Sequence, residues 1–102
     1  MKDNASELNS ALQGTVPVLI EFYATWCPHC QREAPIVERL TEETGDAAAI
    51  ICIDEAKHPD LVEKFGVKGF PAWFLFKDGQ QVWNDSGEKP YDELKDMIDR
   101  FK

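Results

Sequence analysis

The sequence has little positive charge, few cysteines and no long apolar run, and each shortage argues against a class of protein. Eleven basic residues stand against nineteen acidic ones, and the net charge of −8 argues against binding nucleic acid or an anionic membrane. Three cysteines are too few, and odd in number, for a secreted scaffold held together by disulfides. Because no run of about eighteen apolar residues occurs, the sequence predicts no membrane-spanning helix.

Length and composition favour a folded domain. With 102 residues, of which 43% are hydrophobic, the chain is expected to form one domain over residues 1–102. The first seven residues lack the apolar stretch of a signal peptide, which predicts a cytoplasmic location. A periplasmic or secreted location is the alternative, if a signal peptide has been removed.

Four helices are predicted from capping residues, prolines and apolar periodicity. Asn4 and Glu7 have the spacing of a capping box at the start of a short first helix. The other three helices are expected to begin near Pro28, Pro59 and Tyr91, since proline suits a first helical turn and apolar residues recur at helical spacing.

Apolar runs predict three strands, over residues 16–24, 47–53 and 72–76. The Asp78-Gly79 pair predicts a hairpin from the third of these into a fourth strand over residues 80–83. This order predicts an α/β fold in which a mixed sheet is covered by helices. The strand over residues 47–53 is expected at an edge, where the first helix covers it or a second copy pairs with it.

The most specific motif is Trp26-Cys27-Pro28-His29-Cys30, between a predicted strand and a predicted helix. Cysteines two residues apart can close a small disulfide, and a helix N-terminus favours the thiolate that attacks disulfides. The motif therefore predicts thiol–disulfide exchange. A zinc site is one alternative, but tetrahedral zinc needs four ligands, and we expect no metal. A structural disulfide is another, although so short a loop gains little stability.

Four segments together resemble the thioredoxin family: residues 18–30, the helix proline Pro35, Gly69-Phe70-Pro71 and Lys77-Asp78-Gly79. The likeness extends from about residue 16 to residue 101. It implies a thioredoxin fold in which Cys27 is an exposed nucleophile and Cys30 a more buried resolving thiol. It also implies a cis peptide bond between Phe70 and Pro71, beside the redox-active disulfide that the two cysteines form.

The resemblance also implies how substrates bind. The backbone around Phe70 and Pro71 is expected to pair with an extended substrate segment, while Trp26 and Pro28 line the cysteine pair. Recognition through the backbone implies many protein substrates with disulfides or thiols. Thioredoxins usually begin with an extra strand, but the polar residues 1–6 do not predict one, so four strands are expected.

Glu21 interrupts an apolar strand six residues before Cys27. A buried carboxylate without a partner has a raised pKa, and the resemblance implies that Glu21 accepts the proton of Cys30, where the family usually has aspartate. A side chain that faces solvent is the alternative. The family often pairs this acid with a lysine on the next strand, and Ile50 occupies the matching position in this sequence. Cys52 is expected to be an inert buried thiol.

The Pro28-His29 pair bears on the direction of electron flow. A His29 ring near the Cys27 sulfur would stabilise the thiolate, and with it the reduced form, which makes the disulfide a stronger oxidant. Pro-His is found in a bacterial disulfide-oxidase family, whereas thioredoxins usually carry Gly-Pro. We therefore expect a pair more oxidising than that of a typical thioredoxin. A solvated His29 with a small effect is the alternative.

These inferences predict a protein disulfide oxidoreductase that needs no cofactor and is recycled by a flavoprotein disulfide reductase. An extracytoplasmic disulfide oxidase or isomerase, served by a membrane thiol oxidase or reductase, is the first alternative. A redox-silent binding module is the second, although it would not need both thiols. We expect a monomer or a weak dimer, with no nucleic-acid partner and no insertion into a membrane.

Overall fold

Helices and strands alternate in the structure, a computed structural model that describes residues 2–102. Met1, the first residue of the predicted polar N-terminal segment, lies outside that range. The α-helices are α1 (Leu8–Leu12), α2 (Pro28–Thr44), α3 (Pro59–Phe65) and α4 (Tyr91–Arg100). The strands are β1 (Val18–Tyr23), β2 (Ala49–Asp54), β3 (Ala72–Lys77) and β4 (Gln80–Ser86). Short 3-10 turns, Ala5–Glu7 and Gly45–Ala47, precede α1 and β2.

The strands form one mixed sheet in the order β2-β1-β3-β4. β1 is parallel to β2 and antiparallel to β3, and β3 is antiparallel to β4. Residues 2–17 contain no strand. The predicted fold, a thioredoxin fold with four strands and four helices, is therefore confirmed. The register places Glu21 between Cys52 on β2 and Trp73 on β3, in the interior of the sheet.

Alternate residues of β1 face two separate cores, because side chains of a strand point to opposite faces with a period of two. Ile20 and Phe22 pack in the core that contacts α1 and α3. Leu19 packs in the core that contacts α2 and α4. All three are 0% exposed, and burying each side chain contributes roughly 1.5–3 kcal/mol. Glu21 has the parity of Leu19 and therefore lies on the face that α2 and α4 cover.

The N-terminal segment closes the outer edge of β2. The Asn4 side chain accepts a hydrogen bond from the Cys52 N–H at 2.6 Å and donates one to the Ile50 carbonyl at 3.0 Å. Asp3 accepts one from the Asp54 N–H at 2.7 Å. Asn4 is the N-cap residue of the first helical turn, Ala5–Glu7, but the predicted capping box does not form, since its side chain makes no capping hydrogen bond. The Asn4 amide instead takes the place that a strand neighbour would occupy.

An Asn4→Ala variant is expected to lose about 1–2 kcal/mol of folding free energy, because the Cys52 N–H and the Ile50 carbonyl lose their partner. Chemical denaturation measures the change. An Asn9→Ala variant, altered at an exposed position of α1, serves as the control. Equal stability of the two variants would mean that the Asn4 side chain does not hold the β2 edge.

The β3–β4 hairpin brings a distant segment to the start of α2. Asp78 and Gly79 have φ values of 53° and 77°, as a two-residue hairpin turn requires. β4 continues to Ser86, beyond the predicted end at residue 83, because an exposed edge strand tolerates polar side chains. Gly87 then donates to the Pro71 carbonyl at 2.9 Å. Residues 88 and 89 consequently contact side chains of α2.

Candidate active site

Cys27 is the residue that immediately precedes α2. Its backbone is extended, with φ −86° and ψ 118°, and Pro28 is the first helical residue. Proline suits this position because its fixed φ is helical and no N–H is needed there. The backbone N–H groups of Cys30 and His29 at the start of the helix favour the ionised form of Cys27 and help to lower its pKa. The start of α2 therefore favours a negative charge on that sulfur.

The two thiols of the motif differ in acidity. Burial opposes the ionisation of Cys27, but the hydrogen bonds from Cys30 and His29 and the charge of Arg32 outweigh it and lower the pKa of Cys27. Burial raises the pKa of Cys30 to about 12. The structure thus holds one thiol that ionises readily next to one that keeps its proton.

Arg32, His29 and Glu88 form an exposed ionic cluster beside Cys27. His29 Nδ1 lies 2.6 Å from Glu88 Oε1, and Arg32 Nε donates to the same oxygen at 2.8 Å. The His29 and Arg32 side chains are 61% and 58% exposed. The positive side chain that lowers the pKa of Cys27 is Arg32, whereas His29 acts on it through its backbone N–H. Sequence reasoning gave this part to the His29 ring and missed Arg32 and Glu88.

Glu21 is 0% exposed, so the alternative of a solvent-facing side chain was wrong. Burial, followed by the charge of Glu33, raises the pKa of Glu21 to about 8. Its Oε1 accepts a weak hydrogen bond from Cys52 Sγ at 3.9 Å, and its Oε2 has no partner within residues 2–102. In the β1–β2 register the residue opposite Glu21 is Cys52, and Ile50 lies opposite Leu19.

Cys52 is less buried than predicted. It is only half-buried, and all three cysteines of the chain are free thiols in the structure. Burial, and then the charge of Glu21, raises the pKa of Cys52 to about 12. Cys52 packs against the cluster that contains Cys27 and Cys30. It is therefore a polar neighbour of Glu21 as well as a packing residue.

Glu33 is a second buried carboxylate that sequence reasoning missed. It is 1% exposed and lies on the inner stripe of α2 with Cys30 and Val37. Its Oε1 accepts a hydrogen bond from the Lys89 N–H at 2.7 Å, and its Oε2 finds no partner in the described part of the chain. Burial raises the pKa of Glu33. The spacing of Cys30, Glu33 and Val37 at helical intervals was the available signal.

The Phe70–Pro71 peptide bond is cis and lies against the cysteine motif. Cys27 Sγ is 3.8 Å from the Phe70 carbonyl oxygen, and the Phe70 ring meets the Trp26 ring edge-on at 6.3 Å. Pro71 is buried, whereas Trp26 is 68% exposed. Cys27 is only 5% exposed because Phe70 packs beside it, so the nucleophile is more covered than the resemblance implied.

A surface cavity of about 500 Å³ lies beside this contact. Its lining residues are His29, Gly69, Phe70, Ser86, Gly87 and Glu88. Pro28 is exposed at the first turn of α2. The arrangement leaves room for an extended peptide next to the Phe70 backbone.

Within residues 2–102, no group of three or more histidine, cysteine or acidic side chains is arranged to hold a metal ion. No helix in the described range is long and apolar enough to cross a membrane.

Comparisons with known proteins agree with this architecture. The profile of the thioredoxin family matches residues 1–100. Thioredoxin from Listeria monocytogenes is 37% identical over 84 residues, which cover 82% of each chain. Thioredoxin Y2, chloroplastic, from Arabidopsis thaliana is 39% identical over 83 residues, which cover 81% of this chain and 50% of the relative. The chain thus spans about half the length of that chloroplastic relative.

A solved structure shares the fold closely. A mutant thioredoxin from Halobacterium salinarum superposes with a TM-score of 0.86 and 38% sequence identity. The superposition covers 97% of this chain and 86% of the other.

Proposed function

This chain belongs to the thioredoxin family, whose members are protein disulfide oxidoreductases, and from that premise we propose that it exchanges electrons with protein disulfides through Cys27 and Cys30. The observation that carries the proposal is the contrast between the two thiols. The pKa of Cys27 is lowered and that of Cys30 is raised to about 12. An attacking thiol must be ionised in the resting protein. A resolving thiol should instead stay protonated until the attacking cysteine has formed a mixed disulfide with the substrate.

The reaction proceeds through a mixed disulfide. The Cys27 thiolate attacks one sulfur of the substrate disulfide, and the other substrate sulfur leaves as a thiolate. Cys30 then attacks the Cys27 sulfur, which releases the second substrate thiolate and leaves a Cys27–Cys30 disulfide. Two electrons have moved from the protein to the substrate. The reverse sequence oxidises a substrate dithiol.

Cys30 must lose its proton before it attacks, and we assign Glu21 as the acceptor. Glu21 is a fully buried carboxylate on the sheet face that α2 covers, and its charge raises the pKa of Cys30. With a pKa of about 8, Glu21 is a stronger base than an ordinary carboxylate. Because burial makes Glu21 a stronger base, Glu21 is suited to accept the proton that the Cys30 thiol holds tightly.

Substrate recognition is proposed at the Phe70 backbone. A peptide laid along the cavity between His29 and Gly87 would reach the Phe70 carbonyl, which already lies 3.8 Å from Cys27 Sγ. Trp26, Pro28 and Pro71 would shape the walls around the reacting sulfur. Binding led by the backbone suits protein substrates of varied sequence.

We propose that the pair is more oxidising than that of a typical thioredoxin. Groups that stabilise the Cys27 thiolate stabilise the reduced form and raise the reduction potential. Here these groups are the N–H donors of Cys30 and His29 and the charge of Arg32. Glu88 weakens the effect, since its negative charge pairs with Arg32 and partly offsets the positive field at the Cys27 sulfur.

Equilibration with glutathione tests this proposal. The native protein is expected to have a reduction potential above roughly −270 mV, the value typical of thioredoxin. Arg32→Gln and His29→Pro should each lower the reduction potential by tens of millivolts. For a two-electron couple, about 30 mV corresponds to a tenfold change in the equilibrium constant. Glu88→Gln should raise it, because Arg32 is then unpaired. A native potential at or below that of thioredoxin would contradict the proposal.

A flavoprotein disulfide reductase is the proposed recycling partner. An odd cysteine, Cys52, outside the pair suits a reducing compartment such as the cytoplasm. The second candidate, an extracytoplasmic oxidase or isomerase recycled by a membrane thiol oxidase or reductase, is favoured by the Pro28-His29 pair alone. We also propose that residues 1–102 act as a single monomeric domain, since Asp3 and Asn4 cover the β2 edge.

A further inference from the structure

We propose that Glu33 is a positioning residue for proton transfer at this site, whose buried carboxylate faces the β1–α2 interface with Glu21 and makes Glu21 a stronger base for the Cys30 proton. The inference rests on the proposed function, in which Glu21 accepts that proton. Glu21 and Glu33 are called the carboxylate pair below.

Both members of the carboxylate pair lie in the same interface. Glu21 has the parity of Leu19, which belongs to the core formed with α2 and α4. Glu33 lies one turn beyond Cys30 on α2 and one turn before Val37, a residue of that same core. Cys30, the resolving cysteine, is therefore the residue next to Glu33 on the buried side of α2.

Among residues 2–102, neither carboxylate has a cationic side chain paired with it. Glu21 and Glu33 are 0% and 1% exposed, and each has one oxygen without a partner among residues 2–102. Glu33 accepts the backbone N–H of Lys89, while the Lys89 ammonium is bound to Asp85 at 2.6 Å. Burial of an unpaired carboxylate is costly, so two of them in one interface must repel when both are ionised.

The other titratable side chains around the pair, within the described residues, do not cancel this repulsion. Around Glu21 stand the thiols of Cys30 and Cys52 and the hydroxyl of Tyr23, all of them neutral near pH 7 because burial raises their pKa values to about 12. Tyr23 shares β1 with Glu21, Cys52 comes from β2 and Cys30 from α2. The neighbour from β3, Trp73, does not titrate.

Around Glu33 the charges are mixed. Glu88 and Glu93 raise its pKa, and Lys89 lowers it. Burial has the largest effect, and the pKa of Glu33 is raised, whereas its charge in turn raises the pKa of Glu21. Glu33 thus acts on Cys30 through Glu21, and not by contact with the reacting sulfur atoms.

The step that Glu33 influences is the second half of the exchange. The Cys30 proton passes to the Glu21 carboxylate while Cys30 Sγ bonds to Cys27 Sγ and the substrate sulfur leaves with its electron pair. The substrate disulfide is thereby reduced to two thiolates, the cysteine pair is oxidised to a disulfide, and Glu21 later returns the proton to water. A stronger base at Glu21 makes the first of these transfers more favourable.

Stopped-flow oxidation of the reduced protein by one equivalent of DTNB isolates this step. The fast release of thionitrobenzoate reports attack by Cys27, and the slow release reports resolution by Cys30. In the native protein the slow rate should rise with pH through a midpoint near 8, the pKa of Glu21. In Glu33→Gln the midpoint should move about one pH unit lower, and the rate at high pH should fall about twofold to threefold.

Glu33→Gln keeps an oxygen for the Lys89 N–H, and Glu38→Gln at an exposed position of α2 is its matched control. Glu33→Leu, which removes the charge with an apolar side chain, provides a second test if the glutamine variant folds poorly. The infrared band of the Glu21 carboxyl, identified by its loss in Glu21→Gln, should titrate at lower pH in both Glu33 variants.

Two outcomes separate this inference from the proposed function. If Glu21→Gln removes the pH dependence of the slow phase but the Glu33 variants leave its midpoint unchanged, Glu33 has no part and Glu21 keeps its assigned one. If Glu21→Gln also leaves the slow phase unchanged, Glu21 is not the proton acceptor; the inference on Glu33 then fails with that assignment, while exchange through Cys27 and Cys30 stands as long as both phases of thionitrobenzoate release are seen.

Discussion

A Cys27→Ser variant is expected to lose disulfide exchange down to the uncatalysed level, whereas Cys30→Ser is expected to complete one attack and stop. Serine cannot form the mixed disulfide, so removal of the Cys27 sulfur removes the first step. Without the Cys30 sulfur the first step proceeds, but no intramolecular thiol releases the substrate. The two variants therefore fail at different stages of the same reaction.

Mass spectrometry of each variant after incubation with a disulfide-containing protein measures the difference. Cys30→Ser should accumulate as a covalent adduct with the substrate, while Cys27→Ser should show none. Cys52→Ser is the control and should turn over, because Cys52 lies outside the motif. An adduct on Cys27→Ser, or full turnover by Cys30→Ser, would reverse the assigned roles. Turnover by no form of the protein would favour the redox-silent module.

The folded protein is expected to lose stability as the pH rises from about 5 to about 8, and a Glu21→Leu variant is expected to lack most of this loss. The pKa of Glu21 is 4.5 in the reference state and about 8 in the folded protein. Between those values the folded state holds a proton that the unfolded state has released, so unfolding becomes easier with increasing pH. Below pH 4.5 the carboxyl is protonated in both states and contributes no difference.

The predicted magnitude is large for a domain of this size. The gap between the two pKa values corresponds to about 4–5 kcal/mol at pH 8. Urea denaturation at several pH values measures it, with Glu42→Gln, altered at an exposed carboxylate of α2, as the control. If Glu21→Leu and the native protein show the same dependence between pH 5 and 8, Glu21 does not carry a raised pKa in the folded state.

The parts of the fold that depend on neighbouring residues could be predicted from the sequence. The apolar run before Cys27, the proline at the start of α2 and the Asp78-Gly79 turn each determine a local conformation. A mixed sheet with the strand over residues 47–53 at an edge was also predicted, whereas the full strand order was not. The predicted end of the fourth strand was less accurate. β4 is an edge strand, and its polar residues do not interrupt its pairing with β3.

The parts of the site that depend on long-range pairing could not be predicted. Cys52 faces Glu21 because of the β1–β2 register, and a shift of that register would have placed a different side chain there. Glu88 reaches Arg32 across 56 positions of the chain. The place of Glu33 on the buried side of α2 could in principle have been predicted, since it follows Cys30 by one helical turn. Its charge, however, suggested an exposed residue.

The side chains that close the β2 edge have a consequence for how the molecule opens. Asn4 and Cys52 are separated by 48 positions in sequence, yet only a few N-terminal residues must detach to break their contact. The central strand β1, in contrast, is released only when both cores come apart. The free energy of opening is therefore expected to differ between these two regions of the sheet. The N-terminal segment is expected to detach by local unfolding while the rest of the domain stays folded.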